Sequence, residues 1–281
     1  MIAFVGSVFS TYYATARALG RDDPEHHCAL NVVLYGRSSK HWTMTERTRA
    51  DLNRSTESIR IGPSRLEWDG DSLTVRIEEM TVPFPRRVLG TVRIYPKSLV
   101  QRAFELDAAG HHRWHPVAPC ARIEVSMDQP ALSWSGNAYF DSNFGDEPLE
   151  FGFAQWDWMR TRIGANTAVL YDVVPRRSSP ASLGLLFDPH GGIEEISSPP
   201  RAPLPNTFWR VARNGRSDNG PPRLIKTLED TPFYNRSLVA ASLGNKQATW
   251  VHESLSLDRL RQPIVRAMLP FRMPRRRLRR T

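Results

Sequence analysis

Apolar and polar residues alternate along much of this chain. The clearest case is 133–143, where Trp134, Gly136, Ala138 and Phe140 fall on one side of an extended strand and Ser135, Asn137, Tyr139 and Asp141 on the other. The first side is mostly apolar. The second is a row of hydrogen-bonding groups in which a carboxyl stands beside a phenol. Such a row either coats a solvent face or lines a cavity where a carboxylic acid is needed. β-rich runs recur at 2–9, 27–35, 42–47, 58–61, 65–68, 73–79, 88–95, 121–126, 131–140, 167–174, 183–187, 208–212, 223–227 and 237–243. Asp69-Gly70-Asp71 and Asp188-Pro189-His190-Gly191-Gly192 read as tight turns. Helical patterning is confined to a turn near 48–55 and to 257–268.

Short strands at regular spacing predict an all-β fold of the sandwich or barrel kind with a few short helices. The length of 281 residues allows one large domain or two smaller ones. The Pro-rich stretch 197–205 reads as a stiff connector, and a boundary there or near Asn166 is expected. The working division is 1–165, 166–270 and a basic tail, 271–281. A strand that opens at Met1 predicts that the natural chain starts earlier or that its first sheet lacks a strand. Proline outnumbers glycine, 22 to 17, which favours firm turns over long helices.

A net charge of +9 favours an anionic partner, but Arg272, Arg275, Arg276, Arg277, Arg279 and Arg280 crowd the C-terminus and leave the body only mildly basic. Phe271, Met273 and Leu278 interleave with them, a pattern suited to an anionic membrane surface. No RNA-binding module accompanies the charge, so nucleic acid is not the expected partner. Cys28 and Cys120 form no disulfide framework, and no apolar run reaches membrane-spanning length. No phosphate loop, dinucleotide fingerprint or nucleophile elbow is present, and no cofactor is expected.

Three groups of residues carry candidate chemistry. His112 and Trp114 share a face if extended, as do Tyr139 and Asp141. A carboxyl in an apolar pocket stays protonated and can donate a proton at neutral pH, while aromatic faces stabilise a cation. The competing reading makes Asp141 a turn residue ahead of Ser142-Asn143-Phe144-Gly145. The tracts His111-His112-Arg113-Trp114-His115 and His26-His27-Cys28 invite a zinc reading, but no metal-binding spacing accompanies them and no metal is expected. Trp156 and Trp158 share one strand face, either as a core pair or as lining for a long apolar ligand together with Trp134.

Longer motifs sharpen this picture. Ala3-Phe4-Val5-Gly6-Ser7-Val8-Phe9-Ser10, His27-Cys28-Ala29-Leu30-Asn31-Val32, Met44-Thr45-Glu46-Arg47, Arg113-Trp114-His115-Pro116, Ser133-Trp134-Ser135-Gly136 and Tyr139-Phe140-Asp141-Ser142-Asn143 resemble the carotenoid 1,2-hydratases, the hydroxyneurosporene synthases of phototrophic bacteria. The likeness continues through Gly145-Asp146-Glu147-Pro148-Leu149-Glu150, Trp156-Asp157-Trp158, Thr227-Leu228-Glu229-Asp230, His252-Glu253-Ser254-Leu255 and Leu269-Pro270-Phe271-Arg272-Met273-Pro274, and so covers almost the whole chain. Thr11 stands where the family usually has proline, and an upstream β segment common among relatives does not precede the first motif.

The resemblance implies two lipocalin-like β halves and cofactor-free hydration of the terminal double bond of an acyclic carotenoid such as neurosporene or lycopene. It implies Asp141 as the acid, supported by His112, Trp114 and Tyr139; on chemical grounds, His112 or the Asp141 carboxylate would take the proton from water. It also implies a peripheral protein on the cytoplasmic side of the inner, photosynthetic membrane. The alternative is a non-catalytic lipocalin-like carrier of carotenoid or another isoprenoid, which needs the aromatic residues but not the acid. A zinc hydrolase built on the histidines is a third reading.

Overall fold

A computed structural model describes residues 1–36 and 40–276. Antiparallel strands dominate, as the alternation predicts, and the chain divides into two compact units. Met1–Pro96, Arg122–Ala138 and Arg266–Thr281 form the first; Lys97–Ala121 and Tyr139–Val265 form the second. This division does not coincide with a single cut at residue 165. Two long strands, His112–Gln129 and Ala131–Gly145, each contribute one end to either unit. The expected runs 121–126 and 131–140 are segments of these longer strands.

In the first unit, Ile2–Val5, Cys28–Tyr35 and Lys40–Arg47 form a three-stranded antiparallel sheet. A meander from Leu52–Arg54 to Arg87–Pro96 joins the long hairpin in a second sheet. Along Leu73–Met80 the pattern is explicit: Val75, Ile77 and Glu79 turn inward while Arg76 and Glu78 stay in water. The Asp69-Gly70-Asp71 turn forms as expected, with Gly70 at φ 102 and the Asp69 carboxylate accepting from the backbone N–H groups of Asp71 and Ser72. The turn expected near 48–55 is a 3-10 helix over Arg49–Asp51 followed by the strand Leu52–Arg54. An eight-residue helix, Thr11–Ala18, lacks a clear apolar stripe. It is started by Ser10, whose Oγ accepts from the Tyr13 N–H at 2.9 Å.

The C-terminal segment belongs to this unit more firmly than its charge implies. Met273 is 2% exposed and packs with Ala29 and Met44. The Glu46 backbone N–H donates to the Pro274 carbonyl at 3.0 Å, and the Arg276 N–H to the Glu46 carbonyl at 3.0 Å. The Glu46 carboxylate, fully buried, is held by His27 Nδ1 at 2.8 Å, by the Ser10 hydroxyl and by Arg275 Nη1 at 3.4 Å. Met273 is therefore a core residue and not the membrane-facing one that the interleaved tail pattern implies. Arg277, Leu278, Arg279, Arg280 and Thr281 lie outside the described residues.

The second unit is built on a seven-stranded antiparallel sheet. Its order is Ile193–Glu195, Ala181–Phe187, Asn166–Pro175, Phe153–Ile163, Lys246–Ser256, Tyr234–Leu243 and Arg223–Asp230. One face carries an apolar cluster of Met159, Ala168, Leu170, Val239, Ala241 and Trp250. The register puts Trp156, Trp158 and Arg160 on the other face with their cross-strand partners Val173, Tyr171 and Val169. Residues 208–212, expected as a strand, are irregular, and the Pro-rich connector contributes a short strand, Arg201–Pro203, paired with Asn214–Arg216.

Helices follow at Leu257–Leu260 and Pro263–Arg272, near the predicted 257–268. On the longer one, Val265 and Leu269 are buried one turn apart, while Ile264, Met268 and Phe271 are exposed. Met273→Ala is expected to lower stability by about 2–5 kcal/mol, the range for a truncated core methionine. Phe271→Ala, at a site 77% exposed, should change it by no more than about 0.5 kcal/mol. Urea unfolding midpoints of the two variants check the contrast.

Candidate active site

The segments around Trp114 and Asp141 are both extended, and the two meet. Trp114 Nε1 donates to Asp141 Oδ2 at 2.8 Å, and the Tyr139 hydroxyl donates to the same oxygen at 2.9 Å. Oδ1 takes neither bond. A neutral carboxyl accepts through its carbonyl oxygen, which has two lone pairs, and donates through its hydroxyl. With both donors on Oδ2, Oδ1 is the oxygen left to carry the proton when the carboxyl is neutral. Asp141 lies within a strand, so the reading of it as a turn residue is set aside.

Aromatic rings surround this carboxyl. Trp114 is fully buried, with the rings of Phe104 at 5.6 Å and Tyr171 at 5.5 Å. Trp158 lies 5.5 Å from Tyr139, and Trp156 lies 6.1 Å from Tyr171. Burial pushes the Asp141 carboxyl above its ordinary range; the bonds from Trp114 and Tyr139 oppose the rise, the Glu253 charge adds to it and the Arg160 charge opposes it. Burial also drives the Tyr139 and Tyr171 hydroxyls well above the usual tyrosine value, so both remain phenols at neutral pH. The Arg160 guanidinium sits 5.1 Å from the Tyr139 ring centroid.

His112 is on the same strand face as Trp114 but has other partners. Its Nδ1 is 3.1 Å from Asp107 Oδ2, and its backbone N–H donates to that oxygen at 2.8 Å. Its ring meets Phe153 edge-on at 4.8 Å. A Cβ at Gly152 would come within 2.4 Å of the imidazole, so glycine is required there by close approach. No hydrogen bond joins His112 to Asp141 among the described residues, and the geometry makes His112 a clamp on the loop at Asp107.

Of the three tryptophans expected to line a ligand site, Trp158 lies beside Tyr139 and Trp156 beside Tyr171, whereas Trp134 does not join them. It is 50% exposed and alternates to the side of its strand opposite Tyr139 and Asp141. Tyr171, Arg160, Glu253 and Arg236 were not legible as site residues. They reach this face only through cross-strand register, to which a single segment gives no clue. Among the described residues, no three His, Cys, Asp or Glu side chains lie close enough to hold a metal ion. His115 Nε2 is 2.7 Å from the Val100 carbonyl, and His27 pairs with Glu46.

Comparison with known proteins places this geometry in context. The carotenoid hydratase CrtC family profile matches residues 1–281. The acyclic carotenoid 1,2-hydratase of Thiocapsa roseopersicina is 52% identical over 277 residues, which is 98% of this chain and 68% of that protein. That of Rubrivivax gelatinosus is 52% identical over 279 residues, covering 98% and 69%. That of Cereibacter sphaeroides is 39% identical over 278 residues, 98% of both chains. Among solved structures, a protein described as AttH from Nitrosomonas europaea superposes with a TM-score of 0.60 at 12% identity, over 82% of this chain and 81% of that one, a likeness of fold alone. With the profile running from the first residue to the last and half of the positions shared with two hydratases, the chain belongs to the carotenoid hydratase CrtC family.

Proposed function

We propose that this chain adds water across the terminal 1,2 double bond of an acyclic carotenoid, such as neurosporene or lycopene, to give a 1-hydroxy carotenoid. The observation that carries the reading is the double hydrogen bond from Trp114 and Tyr139 to Asp141 Oδ2. A trisubstituted alkene is a feeble base and needs a neutral, well-placed acid. Asp141, raised by burial, delivers the proton from Oδ1 to the less substituted carbon, and the positive charge develops on the tertiary carbon. Trp114, Tyr139, Trp156 and Trp158 offer π faces to that charge. The carboxylate left behind is stabilised by the two donors already in place, which need no reorganisation. His112 serves as a positioning residue through Asp107 and Phe153. Addition of water is redox-neutral, so the reaction as written calls for no electron-carrying cofactor.

The substrate resides in a bilayer, and we place the protein peripherally on the cytoplasmic face of the inner membrane. Support comes from the helix Pro263–Arg272, whose exposed Ile264, Met268 and Phe271 recur at helical spacing beside the terminal arginines. Arg272 and Arg275 have partners within the fold, over Trp42 at 4.3 Å and at Glu46. The attraction to anionic lipid therefore rests on the arginines beyond them.

Asp141→Asn keeps the shape and the acceptor oxygen but has no acid proton. Hydration of neurosporene in detergent or liposomes, followed by mass spectrometry, should fall by about 10²–10⁴-fold; near-normal turnover would sink the acid assignment, and retained carotenoid binding without any wild-type turnover would favour a carrier. Tyr139→Phe removes a donor that favours the carboxylate, so the carboxyl holds its proton to higher pH. The alkaline limb of its rate–pH profile is expected to move upward as the rate falls. Replacing Arg277, Arg279 and Arg280 together by serine should weaken binding to anionic vesicles by roughly a hundredfold, at about 1 kcal/mol per arginine. Unchanged sedimentation with those vesicles would remove the tail from the membrane contact.

A further inference from the structure

The sheet that carries the aromatic face brings a second carboxylate to it. Glu253 is the direct cross-strand partner of Trp158 on one side and of Arg236 on the other. Opposed residues of an antiparallel pair point to the same side, so Glu253 shares the face of Trp158 and, through it, of Tyr171. The Trp158 ring in turn lies beside Tyr139, whose hydroxyl is on Asp141.

The two carboxyls are built alike. Arg236 donates to Glu253 Oε1 from Nε at 2.8 Å and from Nη2 at 2.7 Å, and Oε2 takes neither bond. Asp141 likewise has both of its donors on Oδ2. The buried carboxylates on the opposite face of the sheet differ. Asp157 engages one oxygen with Ser254 and the other with Arg201, and Asp172 offers both oxygens to Arg216. Those two are structural anchors with both oxygens engaged. On the aromatic face, each carboxyl has one oxygen tied to the fold and the other left for chemistry. The Glu253 side chain is also partly open to solvent, as a group that must meet water has to be. His112, by contrast, is tied to Asp107 through Nδ1 and hemmed in by Phe153 and Gly152.

We infer that Glu253 is the base of the hydration, accepting through Oε2 the proton that the attacking water releases, an assignment that rests on the hydratase reading above. Asp141 Oδ1 gives its proton to the alkene, and the C–H bond forms with the π electrons. The water oxygen forms the C–O bond to the tertiary cation. The proton lost from that water passes to Glu253, whose Oε1 is held by Arg236 while Oε2 stays open to receive it. The sum is alkene plus water to alcohol. Asp141 ends one proton poorer and Glu253 one proton richer, and transfer from Glu253 to Asp141 through solvent resets both. Acid and base are thus divided between two carboxyl groups in different surroundings, Asp141 held by an indole and a phenol and Glu253 by a guanidinium. Before the water arrives, the Glu253 charge also opposes the positive charge of the cation.

The test is a partition experiment in D2O with a neurosporene-type substrate. Protonation by Asp141 delivers deuterium to the alkene carbon. When capture by water is slow, the cation reverts by losing a proton, and recovered substrate carries deuterium. Glu253→Gln is expected to lower the hydrated product by about 10²-fold or more, while deuterium in recovered substrate rises at least tenfold per product formed. Asp141→Asn should abolish both. Hydration by Glu253→Gln within twofold of wild type would overturn the assignment. So would an equal loss of hydration and exchange in folded protein, the mark of a purely structural residue. If Glu253→Gln does not fold, Glu253→Asp keeps the charge while withdrawing the free oxygen by one methylene, and the same ratio is read. Wild-type protein run alongside separates the two claims. Absence of product there overturns the hydratase reading itself, whereas product from wild type and from the variant alike overturns only the base.

Discussion

The site depends on one oxygen atom. Asp141 Oδ2 accepts from both Trp114 and Tyr139, and this pair of bonds fixes the orientation of the carboxyl and leaves Oδ1 outside both. Burial and hydrogen bonding work against each other here. Desolvation favours the neutral acid, while the two donors favour the carboxylate. The balance of the two leaves the carboxyl above its ordinary range. The bonds also orient the donors: Trp114 and Tyr139 turn N–H and O–H toward the carboxyl, and their rings remain part of the apolar surroundings.

The second constraint is the register of the seven-stranded sheet. Because side chains alternate, pairing Trp158 with Tyr171 and Glu253 sends all three to one side. Met159 and Trp250 go to the other side and build the apolar cluster that holds the sheet. A slip of one residue would exchange the reactive face for the packing face. The buried Asp157, Ser254 and His252 on that opposite face, with the exposed Arg201 on Asp157, help to hold the register by tying neighbouring strands and the Pro-rich connector together. Stability and chemistry thus occupy opposite faces of the same strands.

Several of the longest motifs prove to be structural. His27 and Glu46, from separate motifs, form the buried centre of the first unit with Ser10 and Arg275. The histidine tracts that invited a metal are divided among individual partners. Met273, written into a basic and apolar tail, fills the core beside Ala29 and Met44. Burial explains much of this: a carboxyl removed from water needs hydrogen-bond partners, and His27, Ser10 and Arg275 supply them to Glu46.

Local periodicity determined a good deal of this protein from the sequence alone. The alternation in 133–143 was enough to predict a strand that puts Tyr139 with Asp141, and an extended 112–114 puts His112 with Trp114, because side-chain direction in a strand has a period of two. The turns at Asp69 and Asp188 were legible from their residue types, and the quoted motifs were enough to recognise the family. Tertiary structure alone decided that both donors fall on Oδ2, that His112 belongs to Asp107, that Trp134 faces away, and that Tyr171, Arg160 and Glu253 share the sheet face of Trp158. Each of these depends on pairing between segments tens of residues apart. The register of such pairing is set by the burial and closure of whole sheets, not by any signal carried within one strand.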